Sequence, residues 1–306
     1  RPGGGQGYDP VPEKYKRRSL RVPNYNGDTG THEIVFYEWG DPNAARTIVC
    51  VHGITRNAHD FDLLAAELAR RGLRVLCFSM AGRGESEHLK NPADYNSSNC
   101  ALDCINLLDQ LQLQNVDWAG TSMGGIIGMN IAATHPGRIR KMVINDIGML
   151  VKKEALQRIY CSMFNTPQSF ATYTEADTYL RKVCADFGIA HLPEMWKLFF
   201  DISFAQNKDR SYSRSYDLAI INPKRADTMD FTQIQDVDFS AFWQAVKIPV
   251  LIMRGETSDI LDAETVDRMC ALNPNAEKVT IQGVGHAPAL MTDDQISLVA
   301  GWLQRS

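Results

Sequence analysis

Two kinds of segment alternate along much of this chain: short runs of continuous apolar residues, and longer runs whose apolar residues recur every three or four positions. Residues 47–51 and 73–78 are of the first kind, which is typical of strands covered on both faces of a sheet. Between them, Phe61, Leu64 and Leu68 are spaced to share one face of a helix. The pattern therefore predicts a strand-helix-strand unit in this part of the chain.

The same alternation predicts an eight-stranded sheet. The predicted strands are residues 19–26, 32–40, 47–51, 73–78, 116–121, 141–145, 248–255 and 278–282. The predicted helices are residues 61–69, 98–112, 124–134, 263–272 and 293–304. A cluster of turn-forming residues separates the first two strands, which should pair antiparallel. The other strands need crossover connections, so we expect an α/β fold with a mostly parallel sheet and helices on both faces.

The alternation stops between residues 150 and 245, where the chain is helix-like and rich in aromatic residues. We predict a mainly helical insertion between two strands of one sheet, whose rings form a small core and in part line an apolar pocket. Residues 1–18 are rich in Gly, Pro and basic residues without an apolar period, which predicts a mobile or loosely docked arm. The remaining residues, 19–149 and 246–306, are predicted to form the α/β core.

Composition narrows the class of protein and its compartment. The chain has 306 residues, of which 44% are hydrophobic and 22% charged, as in an ordinary globular protein. Its net charge of −4 argues against nucleic acid as a partner. The seven cysteines are odd in number and scattered, which favours a reduced, cytoplasmic protein. No apolar segment is long enough to cross a membrane, and the first residues lack the apolar core of a signal peptide.

No metal or other cofactor is predicted. Cys100 and Cys104 lie one helical turn apart, but no further ligands stand at the spacing of a zinc site. We therefore interpret both thiols as core residues and expect the partner of the protein to be a small-molecule substrate.

The most informative motif is Gly120-Thr121-Ser122-Met123-Gly124, which follows a predicted strand and opens a predicted helix. In a G-x-S-x-G elbow the turn is so tight that the flanking positions must be small, and the serine is raised above the sheet. Its hydroxyl then lies beside unpaired N–H groups at the start of the helix, which can bind a developing oxyanion. Ser122 is the predicted nucleophile.

A serine hydroxyl needs a base, and the base needs an acid to orient it. His286 follows the last predicted strand in a loop at the carboxyl edge of the sheet, where such folds collect their sites, and is the predicted base. Asp259 follows the strand before it and is the predicted acid. Glu256 in the same loop, and Asp146 at the end of an earlier strand, remain alternatives for the acid.

These motifs together resemble the α/β-hydrolase superfamily over residues 19–306. The resemblance rests on the elbow, on the chain order Ser122, Asp259 and His286, and on two further segments. They are Val51-His52-Gly53-Ile54 and Gly82-Arg83-Gly84-Glu85-Ser86, each after a predicted strand. The family often carries its acid three residues after the strand-end glycine, where this chain has Ser258, so Asp259 is displaced by one position.

The resemblance implies further roles for named residues. The backbone N–H groups of Ile54 and Met123 would form an oxyanion hole, and the insertion would be a helical cap over the pocket. His52 is expected to shape the oxyanion loop and not to act as the base. Arg56, near the expected pocket mouth, is a candidate partner for a substrate carboxylate, with a surface arginine as the alternative.

We therefore predict a serine hydrolase that cleaves a small carboxylic ester through an acyl-enzyme. The elbow motif does not specify the leaving group of the substrate. Thioesters, lactones and carbon-carbon bonds therefore remain alternatives within the same mechanism. A ligand-binding protein that kept the pocket without turnover is the alternative from a different class.

Overall fold

The computed structural model describes residues 15–164, 166–221 and 231–305. Eight strands form the main sheet of this part of the chain. They are β1 (Tyr15–Pro23), β2 (Thr31–Trp39), β3 (Thr47–Val51), β4 (Arg74–Phe78), β5 (Val116–Thr121), β6 (Ile139–Asn145), β12 (Val250–Gly255) and β13 (Ala276–Ile281).

The order of strands across the sheet is β1-β2-β4-β3-β5-β6-β12-β13. Strand β2 pairs antiparallel with both β1 and β4, and all other neighbours are parallel. The predicted α/β fold, with eight strands and a mostly parallel sheet, is confirmed. All the parallel strands therefore end at one edge, where the loops that follow β3, β5, β6, β12 and β13 meet.

Helices cover both faces of this sheet. They are α1 (Asp62–Arg70), α2 (Ser97–Gln110), α3 (Met123–Thr134), α7 (Ser240–Ala245), α8 (Ala263–Leu272) and α9 (Asp293–Gln304). Successive strand residues enter different core layers, so that Val49 packs towards α2 and α3 while Ile48 packs towards α1 and α9. Every side chain of β3 is buried, which explains its unbroken apolar sequence. Within the described residues, no helix has the length and apolarity needed to cross a membrane.

The predicted arm over residues 1–18 is too long by four residues. Strand β1 begins at Tyr15, and each of its nine residues has a partner in β2. Its basic side chains mark an edge strand, since charges there discourage pairing with another chain. Arg18 also donates to the buried carboxylate of Glu38 at 2.9 Å. Residues 1–14 of the predicted arm lie outside the described residues.

The insertion, residues 150–245, contains both helices and short strands. Its elements before α7 are β7 (Leu150–Val151), α4 (Lys153–Phe164), β8 (Ser169–Phe170), α5 (Tyr173–Val183), α6 (Pro193–Ser203), β9 (Phe204–Gln206), β10 (Tyr212–Arg214) and β11 (Val237–Asp238). Strands β8, β10 and β9 form a small antiparallel sheet that the apolar pattern did not predict, because two or three residues are too few to show a period. The predicted aromatic core is present, with Phe170, Trp196, Phe199 and Phe200 among its buried rings.

Candidate active site

Ser122 occupies a sharp turn between β5 and α3. Its backbone has φ 50° and ψ −112°, a conformation that residues other than glycine rarely adopt. This conformation lifts the residue out of the strand. The Ser122 N–H donates to the carbonyl of Asn145 at 2.9 Å, which ties the turn to the end of β6. The strand-turn-helix context predicted for the motif is therefore present.

The two outer glycines of the motif are required by close backbone contacts. A Cβ atom on Gly124 would lie 2.0 Å from the carbonyl oxygen of Val51 in β3. A Cβ atom on Gly120 would lie 2.2 Å from the backbone of Gly124. Backbone atoms cannot move aside without shifting the sheet, so no larger residue fits at either position.

We expect Gly124→Ala to destabilise the protein by about 3 kcal/mol or more, since overpacking alone typically costs about 1–3 kcal/mol and here the clash is with backbone. Urea unfolding followed by circular dichroism would measure the change. Gly301→Ala is the matched control, because Gly301 is exposed in α9 with open space around its Cα. That variant should gain about 0.5–1 kcal/mol of helix stability. Equal stabilities of the two variants would contradict the packing argument.

Three side chains form a chain of hydrogen bonds at the carboxyl edge of the sheet. The Oγ of Ser122 lies 3.1 Å from Nε2 of His286, and Nδ1 of His286 lies 2.6 Å from Oδ2 of Asp146. An ionised carboxylate can only accept, so Nδ1 carries the ring proton and Nε2 is free to accept from the serine hydroxyl. The structure thus brings Ser122 and His286 together as predicted.

Asp146 is completely buried and fully engaged by donors. Its Oδ1 accepts from the N–H of Gly255 at 2.7 Å, and its Oδ2 accepts from the hydroxyl of Ser258 at 2.6 Å as well as from His286. The Asp146 backbone has φ 58° and donates its N–H to Met253 at 2.8 Å, which turns the side chain towards β12. These contacts fix the carboxylate behind the imidazole without access to water.

Asp259, the predicted acid, does not contact His286. It lies on the surface in a bidentate ion pair with Arg158, and both side chains are nearly half exposed. Glu256 is also exposed and accepts from the N–H of Gly283 at 2.8 Å. The prediction that Asp259 contacts His286 is therefore corrected: the carboxylate beside the imidazole is that of Asp146, which had remained an alternative.

The physical reason for this correction lies at Ser258. In the position where the family often has its acid, this chain has a small hydroxyl that donates to the carboxylate of Asp146. The carboxylate that contacts His286 therefore comes from the end of β6, the strand next to β12. A serine at the family position, together with an aspartate at the end of the neighbouring strand, was the sequence signal for this exchange.

The Gly53–Ile54 peptide is held in a fixed orientation beside Ser122. Nδ1 of His52 donates to the Gly53 carbonyl at 2.7 Å, and Nε2 of His52 accepts from the Met80 N–H at 3.0 Å. Because a trans peptide points its N–H opposite to its C=O, this contact also sets the direction of the Ile54 N–H. A Cβ atom built on Gly53 would lie 3.9 Å from the Cβ of Ser122, so the peptide is close to the hydroxyl.

Both predicted oxyanion donors are without an acceptor in the part of the chain that the structure describes. Among the hydrogen bonds of the described residues, neither the Ile54 N–H nor the Met123 N–H donates. Met123 is the first residue of α3, where N–H groups lack partners within the helix. The carbonyl of Ile54 accepts from the buried side chain of Arg83 at 2.8 Å, a support that sequence reasoning did not anticipate.

Complete burial lowers the pKa of His52 from 6.5 to about 3, with a smaller contribution from the positive charge of Arg83. The unfolded chain therefore binds a proton below pH 6.5 that the folded protein excludes, and stability falls as the pH drops towards 3. We expect this residue to cost about 2 kcal/mol of stability between pH 7.5 and pH 5.

His52→Gln keeps a donor and an acceptor but cannot titrate, so its free energy of unfolding should decrease less on acidification by that amount. Urea unfolding of both proteins at the two pH values measures the difference. The same pH dependence in wild type and variant would show that His52 does not contribute it.

Arg56, the predicted partner of a substrate carboxylate, is buried and already paired. Its Nε and one terminal nitrogen donate to the two carboxylate oxygens of Asp60 at 2.9 and 2.6 Å. The other terminal nitrogen donates to the Ser203 hydroxyl at 2.6 Å, and the guanidinium stacks 3.9 Å from the ring centre of Phe199. Arg56 therefore links the core to α6, and its charge is balanced within the protein.

A cavity of about 190 Å³ adjoins Ser122 and His286. The core contributes the loops after β3, β5 and β13 to its wall, and the insertion contributes side chains of α4, α5, α6 and β10. Half of the insertion's lining side chains are apolar, among them Ile159, Met163, Leu180, Phe199 and Phe204. As predicted, some of the aromatic rings of the insertion line this cavity.

A family model described as the alpha/beta hydrolase fold matches residues 46–290 of the chain. The chain belongs to the α/β-hydrolase family. The resemblance drawn from the motifs is therefore confirmed, and the order of strands in the main sheet agrees with it.

Several relatives of this α/β hydrolase are named as hydrolases or lipases. The 3-hydroxybutyrate-oligomer hydrolase of Cupriavidus necator is 35% identical over 275 residues, which are 88% of this chain and 92% of the relative. Lipase 1 of Psychrobacter immobilis is 23% identical over 265 residues, 86% of this chain and 78% of the relative. The crystal structure of an alpha/beta hydrolase from Novosphingobium aromaticivorans has a TM-score of 0.82 and 31% identity, covering 96% of this chain and 99% of the other.

Proposed function

We propose that this α/β hydrolase cleaves a small carboxylic ester through a covalent acyl-enzyme. The observation that carries the proposal is the hydrogen-bonded chain from Ser122 through His286 to Asp146. Because Asp146 holds the ring proton on Nδ1, Nε2 of His286 can remove the proton from the serine hydroxyl. This arrangement is the one that turns a weak nucleophile into a reactive one.

The reaction then proceeds in two stages, acylation of Ser122 and hydrolysis of the acyl-enzyme. The Ser122 oxygen adds to the ester carbonyl carbon, and the N–H groups of Ile54 and Met123 bind the oxyanion. The carbon-oxygen bond to the alcohol breaks, and His286 returns its proton to the departing oxygen. Water next attacks the acyl carbon while His286 takes its proton, and the acid is released as Ser122 regains its hydroxyl.

The insertion is proposed to act as a cap that selects the substrate. The apolar side chains that it places in the cavity wall and the small size of the cavity favour a short acyl chain over a polymer. The similarity to the 3-hydroxybutyrate-oligomer hydrolase supports a short ester of a hydroxy acid as the substrate class.

Two measurements test this proposal. The protein should hydrolyse p-nitrophenyl butyrate and should release 3-hydroxybutyrate from its linear dimer. A fluorophosphonate probe should label it, and mass spectrometry of the digested protein should locate the adduct on Ser122. Absence of both turnover and labelling would contradict the proposal and favour a binding protein that has kept the pocket.

A further inference from the structure

Three guanidinium groups line the cavity, and their charges are balanced differently. Arg56 is paired with Asp60 and Arg158 with Asp259. The third, Arg214, has no carboxylate within 4 Å in the part of the chain that the structure describes. Arg214 therefore brings to one wall of the cavity a charge that no described carboxylate pairs with; Asp186, a further carboxylate of the lining, lies more than 4 Å from it.

Arg214 is positioned rigidly in β10. It pairs with Phe204 of β9, and only 8% of the residue is exposed. Its two terminal nitrogens donate to the Pro167 carbonyl and, at 3.0 Å, to the hydroxyl of Tyr216. Its Nε is buried without an acceptor among the described residues. A buried charge with an unused donor is costly, so its retention at a cavity wall needs an explanation.

Tyr216 lines the same cavity and adds a second donor. Its oxygen accepts from Arg214, and burial is the main cause that raises the pKa of this hydroxyl to about 12. The hydroxyl therefore keeps its proton at neutral pH, and no hydrogen bond of the described residues uses that proton. A guanidinium and a protonated hydroxyl side by side can bind a carboxylate, for which the charge-assisted bond provides the larger contribution.

We propose that Arg214 and Tyr216 form a subsite for a free carboxylate of the substrate. Resting on the proposed ester hydrolase activity, this narrows the substrate class to anionic esters, such as short hydroxy-acid oligoesters with a free acid end. Burial strengthens the pairing, since only 8% of Arg214 is exposed and little water competes for its charge. Arg56 is the residue expected from the sequence to bind a carboxylate. Its guanidinium is not available for this role because it already pairs with Asp60.

A matched pair of substrates tests the subsite. The linear 3-hydroxybutyrate dimer is compared with its terminal carboxamide, which keeps the ester bond and the shape but carries no charge. Wild type should prefer the acid in kcat/KM by roughly 10- to 100-fold, the usual range for a charged hydrogen bond. In Arg214→Gln the ratio should fall to near one through a higher KM for the acid, and Arg214→Lys should restore part of it.

Arg158→Gln is the matched control, because Arg158 lines the same cavity but is paired with Asp259. It should keep the preference for the acid. Tyr216→Phe removes only a hydroxyl and should reduce the preference for the acid over the amide several-fold. This variant still tests the subsite if Arg214→Gln does not fold.

Two results would overturn the subsite: a wild type that hydrolyses acid and amide equally, or a preference lost in Arg158→Gln and kept in the Arg214 variants. Failure of the ester hydrolase proposal is distinguishable, because p-nitrophenyl butyrate and both dimers would then all stay intact.

Discussion

Ser122→Ala is expected to lower kcat for p-nitrophenyl butyrate by about 10⁶-fold, the loss typical of removing the nucleophile of a serine hydrolase. No other hydroxyl is hydrogen-bonded to Nε2 of His286 in the described part of the chain, so none is placed to take over the attack. The alanine should leave the fold intact, since the Ser122 contact to Asn145 is made by the backbone.

Stopped assays at high enzyme concentration, with a melting curve for each protein, would measure this loss. Ser162→Ala is the control, because Ser162 lines the same cavity and lies on the exposed side of α4. It should retain a rate within a few-fold of wild type. Equal rates for wild type and Ser122→Ala would end the assignment of Ser122 as the nucleophile.

Asp146→Asn is expected to lower kcat by about 10⁴-fold, the effect of replacing a triad aspartate by its amide. The side chain of Asp146 receives hydrogen bonds from His286, Ser258 and Gly255, and an amide must turn its own donor towards one of them. If the amide donates to Nδ1 of His286, the ring proton moves to Nε2, and the base can no longer accept from Ser122.

Asp259→Asn is the control that separates the two candidate acids. Asp259 pairs with Arg158 on the surface, and an exposed ion pair contributes about 0–1 kcal/mol to stability. We expect its activity to stay within about 3-fold of wild type. Kinetics over pH 5 to 9 and melting temperatures for both variants would distinguish a catalytic loss from unfolding. A large loss in Asp259→Asn with an active Asp146→Asn would reverse the assignment.

Much of this architecture follows from patterns that lie within a few residues of each other. The unbroken apolar sequence of β3 is that of a strand with both faces buried, and it has no exposed side chain. The elbow is local only in part: Gly120 is required by the backbone of Gly124 within the turn, whereas Gly124 is required by the carbonyl of Val51 in β3. The place of the site at the carboxyl edge then follows from the parallel direction of the strands.

Short elements and charge pairing could not be derived in this way. The small sheet of the insertion consists of strands of two or three residues, too short for a periodic pattern. Arg56 and Arg214 are both arginines of the cavity wall, yet one is paired with Asp60 and the other has no carboxylate partner among the described residues. Only the folded arrangement of the insertion against the core distinguishes them.

The sequence by itself determined the family, the position of Ser122 and the pairing of that serine with His286. The tertiary structure decided which carboxylate stands behind the imidazole and which guanidinium of the cavity wall has no carboxylate partner among the described residues. The physical reason is the distance along the chain over which each feature is specified. A turn or a strand is specified by residues that are close in sequence. A hydrogen bond of about 2.6–3.2 Å, in contrast, depends on how separate elements pack.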